Sequence, residues 1–153
     1  MARRYSVTLQ QQASIASAIT LVQLKAGSTA ICRIIKAWAS QSTLTSSSQV
    51  SIALLRKSGA ATVTSYTPRL IDPGDSAAAA VGGTSATGVN ASGEGTNGDI
   101  LVQASFNVLN GWLWVPVPED RIIVAPSGIV GLTLITAPAS STWDAGIIFE
   151  EEG

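Results

Sequence analysis

Few side chains in this 153-residue chain could carry out catalysis. There is no histidine and one cysteine, Cys32, and no G-x-S-x-G motif accompanies the many serines. A glycosidase needs two carboxylates that flank one bond, but Glu119 and Asp120 are adjacent and diverge if the chain there is extended. Their proximity to Arg121 indicates a surface ion pair instead. The sequence therefore predicts no catalytic residue and a protein that is not an enzyme.

Cofactor and metal motifs are equally weak. Gly93–Gly98 has the G-x-G-x-x-G spacing, which binds a pyrophosphate when a strand precedes it and a helix follows. Here the motif leads into alternating residues at Ile100, which predict a strand, so no cofactor is expected. Without histidine, and with one thiol, zinc and copper sites are not expected either. Asp72 with Asp75 indicates a turn rather than a calcium site.

Two tryptophans form the clearest recognition motif. Trp112 and Trp114 share one face of an extended segment, and Leu113 and Val115 share the other. The tryptophans could pack in the core, anchor a subunit interface or form a platform that stacks against sugars, and these three readings stay open.

Composition favours assembly over catalysis. Charged residues make up 12% of the chain and hydrophobic residues 46%, with a net charge of −1, whereas soluble proteins average about 25% charged residues. Other subunits are expected to cover part of so weakly charged a surface, although abundant Ala, Ser, Thr and Gly could simply replace charge. No basic patch predicts a nucleic-acid partner, and no apolar run is long enough to predict a membrane span.

Period-two alternation predicts an all-β protein, an antiparallel β-sandwich of about eight strands. Ile31–Ala39 and Ile129–Thr136 are apolar on both faces, as central strands are. Asn110-Gly111 suits a tight hairpin turn, and Asp75 or Ser76 could cap a short helix through Ala80. Six residues are predicted to be buried: Val102, Phe106, Leu132, Leu134, Ile147 and Phe149.

The N-terminus is interpreted as a separate element. Residues 1–12 are expected to form an extended arm, 13–153 a single sandwich domain, and 14–24 its first strand. A secretory signal is the alternative, but Gln10–Gln12 interrupt it. A free arm should be mobile and should pair with a neighbouring chain on docking, with its arginines meeting Glu150–Glu152 of an adjacent subunit. The candidate interface residues are Arg3, Arg4, Tyr5, Val7, Leu9, Trp112 and Trp114.

Several segments resemble small head proteins of tailed bacteriophages, specifically capsid decoration (cement) proteins. They are Phe106–Trp112, Pro118–Ile122, Pro126–Ile129, Phe149–Glu151 and the turn at 72–75. The resemblance covers the C-terminal half and that turn, and it consists of packing and turn motifs. It implies a jelly-roll type of sandwich and a homotrimer on the outer surface of the virion capsid. The major capsid protein would be the partner, whose subunit contacts the trimer would stabilise.

Two other classes remain as alternatives. One is a carbohydrate- or receptor-binding module of a phage tail or fibre, and the other is a small hydrolase with an unusual carboxylate site. The glycine-rich segment 82–99 is expected to be a functional or mobile loop that contains a short strand.

Overall fold

The alternating segments form twelve strands in a computed structural model that describes residues 2–153. These strands pair antiparallel throughout. A short 3-10 helix at Pro118–Asp120 is the sole helical element among the described residues. The strands are β1 Arg3–Ile15, β2 Thr20–Lys25, β3 Ile31–Gln41, β4 Gln49–Gly59, β5 Thr62–Ser65, β6 Arg69–Leu70, β7 Gly88–Gly93, β8 Thr96–Asn107, β9 Trp112–Trp114, β10 Ile122–Val124, β11 Ile129–Leu134 and β12 Ser141–Glu152.

Two six-stranded sheets pack face to face. The first has the order β10-β3-β12-β1-β6, with β9 beside β10 on the same flank of β3. The second has the order β5-β7-β2-β11-β4-β8. The chain crosses between sheets at each of the steps β1 to β2, β2 to β3 and β3 to β4. The protein is therefore an all-β antiparallel sandwich, as the alternation predicted.

The inner faces of the sheets make one hydrophobic core. On β12, Trp143, Ala145, Ile147 and Phe149 are all buried on the same face, which confirms the predicted register of that strand. Five of the six predicted core residues are buried, and Val102 is the exception. It packs against the core but is only partly buried, because β8 has a neighbour on one side only.

The predicted N-terminal arm is instead a strand of the sandwich, which corrects the boundary at residue 12. Tyr5 and Val7 are fully buried and Leu9 is 3% exposed, since β1 pairs along its length with β12 and turns these side chains inward. The glutamines do not end the domain. They form a bulge between Leu9 and Gln12, where Asp144 accepts hydrogen bonds from the backbone and side-chain amides of Gln11.

Three smaller expectations were also wrong. Residues 14–24 form two strands, the end of β1 and β2, rather than one. Asn110-Gly111 does not close a hairpin, because β8 and β9 lie in different sheets. No helix follows Asp75; the backbone N–H groups of Ala79 and Ala80 instead donate to the distant carboxylate of Glu151.

The glycine-rich segment is built into the fold. Its predicted strand is β7, and Glu94-Gly95 is the turn that joins β7 to β8. Gly95 has φ +65°, and a Cβ there would approach the Ala60 carbonyl oxygen to 2.3 Å, so glycine is required. The residues between β4 and β8 add strands to both sheets on one side of the sandwich. β7 pairs with β2, β5 pairs with β7, and β6 pairs with β1.

The placement of β1 predicts how substitutions near the N-terminus act. Leu9→Ala should lower the free energy of unfolding by about 2–5 kcal/mol, because it removes a buried side chain and leaves a cavity. Ser6→Ala, on the outer face of the same strand, should change it by no more than about 0.5 kcal/mol. Urea unfolding of both variants measures this, and equal stability of the two would show that β1 is not part of the core.

Candidate interaction surface

The outer face of the first sheet carries an aromatic row. Register places Leu113 of β9 opposite Trp38 of β3, Trp38 opposite Gly146 of β12, and Gly146 opposite Thr8 of β1. A Cβ at Gly146 would come within 2.2 Å of Trp38 Cζ2. The indole ring therefore lies across Gly146, and any other residue there would displace it. The hydroxyl groups of Thr8 and Tyr66 are 3.0 Å apart and form a hydrogen bond, so this end of the row is polar.

The next row carries two cations. Lys36 lies opposite Ile148, Ile148 opposite Ser6, and Ser6 opposite Arg69. Lys36 Nζ is 5.4 Å from the centroid of the Trp38 ring, and Arg69 Cζ is 5.9 Å from that of Tyr66. Both distances suit cation–π contacts. Within residues 2–153 neither cation forms a salt bridge.

A third row is an internal ion cluster. Glu150 accepts from Arg4 Nε and from Arg121 Nη1, each at 3.0 Å, and Arg33 pairs with Glu152. The basic and acidic chain ends, which were expected to meet between subunits, therefore meet in one chain for Arg4 and Glu150. Arg3 lies opposite Glu151 on β12 and is exposed.

Apolar side chains are exposed along one flank of this face. We call Leu113, Val115, Val117 and Ile123 the apolar edge; their exposures are 62%, 63%, 58% and 49%. Leu113 and Ile123 stand opposite Trp38 and Arg33 of β3, respectively. Four large apolar side chains are thus exposed within eleven residues, a clustering of the kind found at protein contact sites.

The candidate interface residues are divided between core and surface. Tyr5, Val7 and Leu9 are inside the core, so the folded domain cannot present them to a partner. Trp112 and Trp114 are partly buried and pack against the core, which favours the core-packing reading. The exposed positions are on the opposite face of the same segment, at Leu113 and Val115. Alternation had identified both faces, but local sequence does not tell which one turns inward.

Cys32 and Glu151 form a buried pair behind the ion cluster. Glu151 is 6% exposed, and its carboxylate accepts from Ala79 N at 2.8 Å and Ala80 N at 2.9 Å. It thereby anchors the 72–81 segment to β12. Cys32 Sγ is 4.0 Å from Glu151 Oε1. Burial, and secondarily the Glu151 charge, raises the pKa of Cys32 to about 12, so this thiol is inert near neutral pH.

Lys57 holds the β7–β8 turn. Its ammonium, whose side chain is 0% exposed, donates to Glu94 O at 2.9 Å and to Asn97 Oδ1 at 2.6 Å. Glu94 in turn accepts from the backbone and hydroxyl of Thr20. Burial lowers the pKa of Lys57, while the nearby Glu94 carboxylate opposes that shift. These polar groups have structural partners, and of the motif glycines Gly95 lies in the turn while Gly93 and Gly98 lie in the flanking strands.

Comparison with known proteins gives no relative: no family model, curated protein or solved structure matches this chain. Among residues 2–153, no three His, Cys, Asp or Glu side chains are grouped so that they could hold a metal ion. The same residues contain no helix long and apolar enough to cross a membrane.

The raised pKa of Cys32 predicts a loss of stability in alkali. The folded thiol keeps its proton up to about pH 12, but the unfolded thiol ionises near its ordinary value of 9.0. The contribution of the protonated thiol to the free energy of unfolding is therefore fully present below pH 9. It is lost as the pH rises from 9 towards 12, by at most about 1.4 kcal/mol per pH unit. Cys32→Ala should have a shallower decline over this range in urea unfolding, and parallel curves for the two proteins would contradict the assignment.

Proposed function

We propose that this protein is a capsid decoration (cement) protein, a non-enzymatic virion structural protein that binds the outside of a phage head. It docks on major capsid protein subunits through the outer face of the first sheet and stabilises the contacts between them. The observation that carries the proposal is the apolar edge at one side of a sheet face that also carries Lys36 and Arg69, neither of which forms a salt bridge within residues 2–153. The resemblance of its turn motifs to phage head proteins supports the same assignment.

The strand order supports the jelly-roll type of sandwich. With β9 and β10 counted as one broken strand, eight strands give the order β1-β12-β3-β9/β10 in the first sheet and β2-β11-β4-β8 in the second. Strands that are consecutive in this set alternate between the sheets except at the step from β4 to β8, which pair within the second sheet. Two interlocked Greek keys give this order. Viral capsid proteins and lectins both use this architecture, so it is compatible with docking and does not select the partner.

The charges on the outer face of the first sheet indicate which groups the capsid surface must carry. Lys36 and Arg69 stand in one row, three strands apart in register, or about 14 Å at the usual strand spacing. Carboxylates of the capsid protein at that separation would pair with them. Such pairs set orientation and association rate more than affinity, and burial of the apolar edge supplies most of the binding free energy.

Stabilisation of the shell follows from mass action. A protein that binds the assembled shell and not its separated subunits favours the shell by RT ln(1 + [L]/Kd), which is about 2.7 kcal/mol per site at a hundredfold excess over Kd. The buried titratable groups fit a structural role, because Lys57 and Glu151 are engaged with backbone atoms of loops. The homotrimer implied by the resemblance stays a prediction.

Trp38 favours a second candidate, a carbohydrate-binding module of a phage tail or fibre. Its partly buried ring lies on the outer face of the sheet and lines a pocket of about 290 Å³ together with Ser40, Asn110 and Trp112. Flat aromatic rings flanked by polar groups suit sugar recognition. Host surface polysaccharide is therefore the alternative ligand.

Docking through the apolar edge predicts a site-specific effect on head binding. Leu113→Glu with Val115→Glu should weaken binding to heads of the encoding phage at least tenfold, since each change places a carboxylate in the desolvated contact. Val81→Glu is the matched control. Val81 is 61% exposed, but it lies beside Lys25, Gly27 and Ser127, away from this face. Co-sedimentation with heads that lack the protein measures both.

The same preparation separates the two candidates. Wild-type protein should raise the temperature at which heads release DNA, and the Leu113/Val115 variant should not. Equal head occupancy by all three proteins would contradict docking through this face. Absence of head binding, with capture on host polysaccharide that Trp38→Ala abolishes, would establish the second candidate instead.

A further inference from the structure

One long sheet edge is left open. β5 has four residues, β6 two, and β9 and β10 three each, so these strands end their sheets with short edges. β8 has twelve residues and pairs only with β4. Short edges, prolines and lysines normally prevent strands of different molecules from pairing. β8 contains neither proline nor lysine, and Asp99 is its sole charged residue.

The open edge is regular over half its length. Register shifts interrupt the β4–β8 pairing at three places from Leu54 to Gly59, whereas Gln49–Leu54 pairs with Val102–Asn107 without a break. The outer side of β1 is different. It pairs with β6 at Tyr5 and Ser6 and is bulged from Leu9 onward. Among the described strands, residues 102–107 of β8 are therefore the longest regular free edge.

We propose that β8 pairs with β8 of a second copy of this chain, antiparallel and across a twofold axis. Pairing around Ala104 places Gln103 opposite Ser105 of the copy and Val102 opposite Phe106 of the copy, so side chains of matching character meet. No charged residue faces another, because Asp99 lies outside this segment. The copy also covers Ile100, which is 51% exposed, and the partly buried Val102.

Edge lengths select the twofold arrangement. A ring of three chains joined by sheet edges needs two different edges of matched length on each chain. The other sheet-terminal strands have four residues or fewer, so β8 finds a partner of its own length only in another β8. Such an isologous contact closes as a dimer. This surface is distinct from the apolar edge, so docking on the capsid does not depend on it. A dimer through β8 would, however, replace the homotrimer that the resemblance implies.

Charge at the edge gives the first test. Gln103 and Thr64 are both exposed residues of edge strands, in β8 and β5, respectively. Light scattering at about 100 µM should give wild type and Thr64→Lys twice the 15.7 kDa of one chain. Gln103→Lys should give the monomer mass, because two ammonium groups meet near the axis. A wild-type monomer, a wild-type trimer, or a Gln103→Lys protein of wild-type mass would overturn the proposal.

Adjacent prolines give an independent test that does not depend on side-chain charge. Successive backbone N–H groups of a strand point to opposite sides of it. One of the two variants Gln103→Pro and Ala104→Pro therefore removes a hydrogen bond to β4. The other removes an N–H group that points away from β4, towards the second copy. The variant that keeps the wild-type melting temperature should be monomeric. If that variant remains a dimer, β8 is not the interface.

Discussion

The pairing of β1 with β12 is the constraint on which the sandwich depends. It joins Arg3 to Glu151 and continues to Ile15 and Ser141, so the two ends of the chain lie side by side in one sheet. The pair buries Tyr5 against Phe149, with ring centroids 5.5 Å apart. Because β12 also pairs with β3 along its length, the first sheet cannot form until the C-terminal strand is available, and its contacts are among the least local in the chain.

The same pairing produces the outer face. When Tyr5, Val7 and Leu9 turn inward, period-two geometry turns Arg4, Ser6 and Thr8 outward. On β12 it turns Gly146, Ile148 and Glu150 outward in register with them. A face made of long paired strands is rigid, which lowers the ordering cost of docking. The apolar edge is attached to this platform because β9 and β10 both pair with β3.

Local patterns in the sequence predict which strands form and which residues share a face, since alternation is a property of a few neighbouring residues. They therefore identified the all-β class, the buried face of β12 and the two faces of Trp112–Val115. They did not predict which strands pair. Three glutamines after Leu9 are typical of a domain boundary, and only Asp144, 133 residues away, makes them a bulge. Likewise, the alanines after Ser76 favour a helix by local propensity, but the backbone N–H groups of two of them donate to the distant Glu151 carboxylate instead.

Native-state hydrogen exchange of the free protein shows whether the two ends of the chain form one cooperative sheet. The β1 amides between residues 3 and 9 that point towards β12 should exchange only through global unfolding, with the same opening free energy as the amides of β11. Exchange of those β1 amides within seconds, while β11 stays protected, would mean that β1 is a detachable arm and not part of the cooperative sheet.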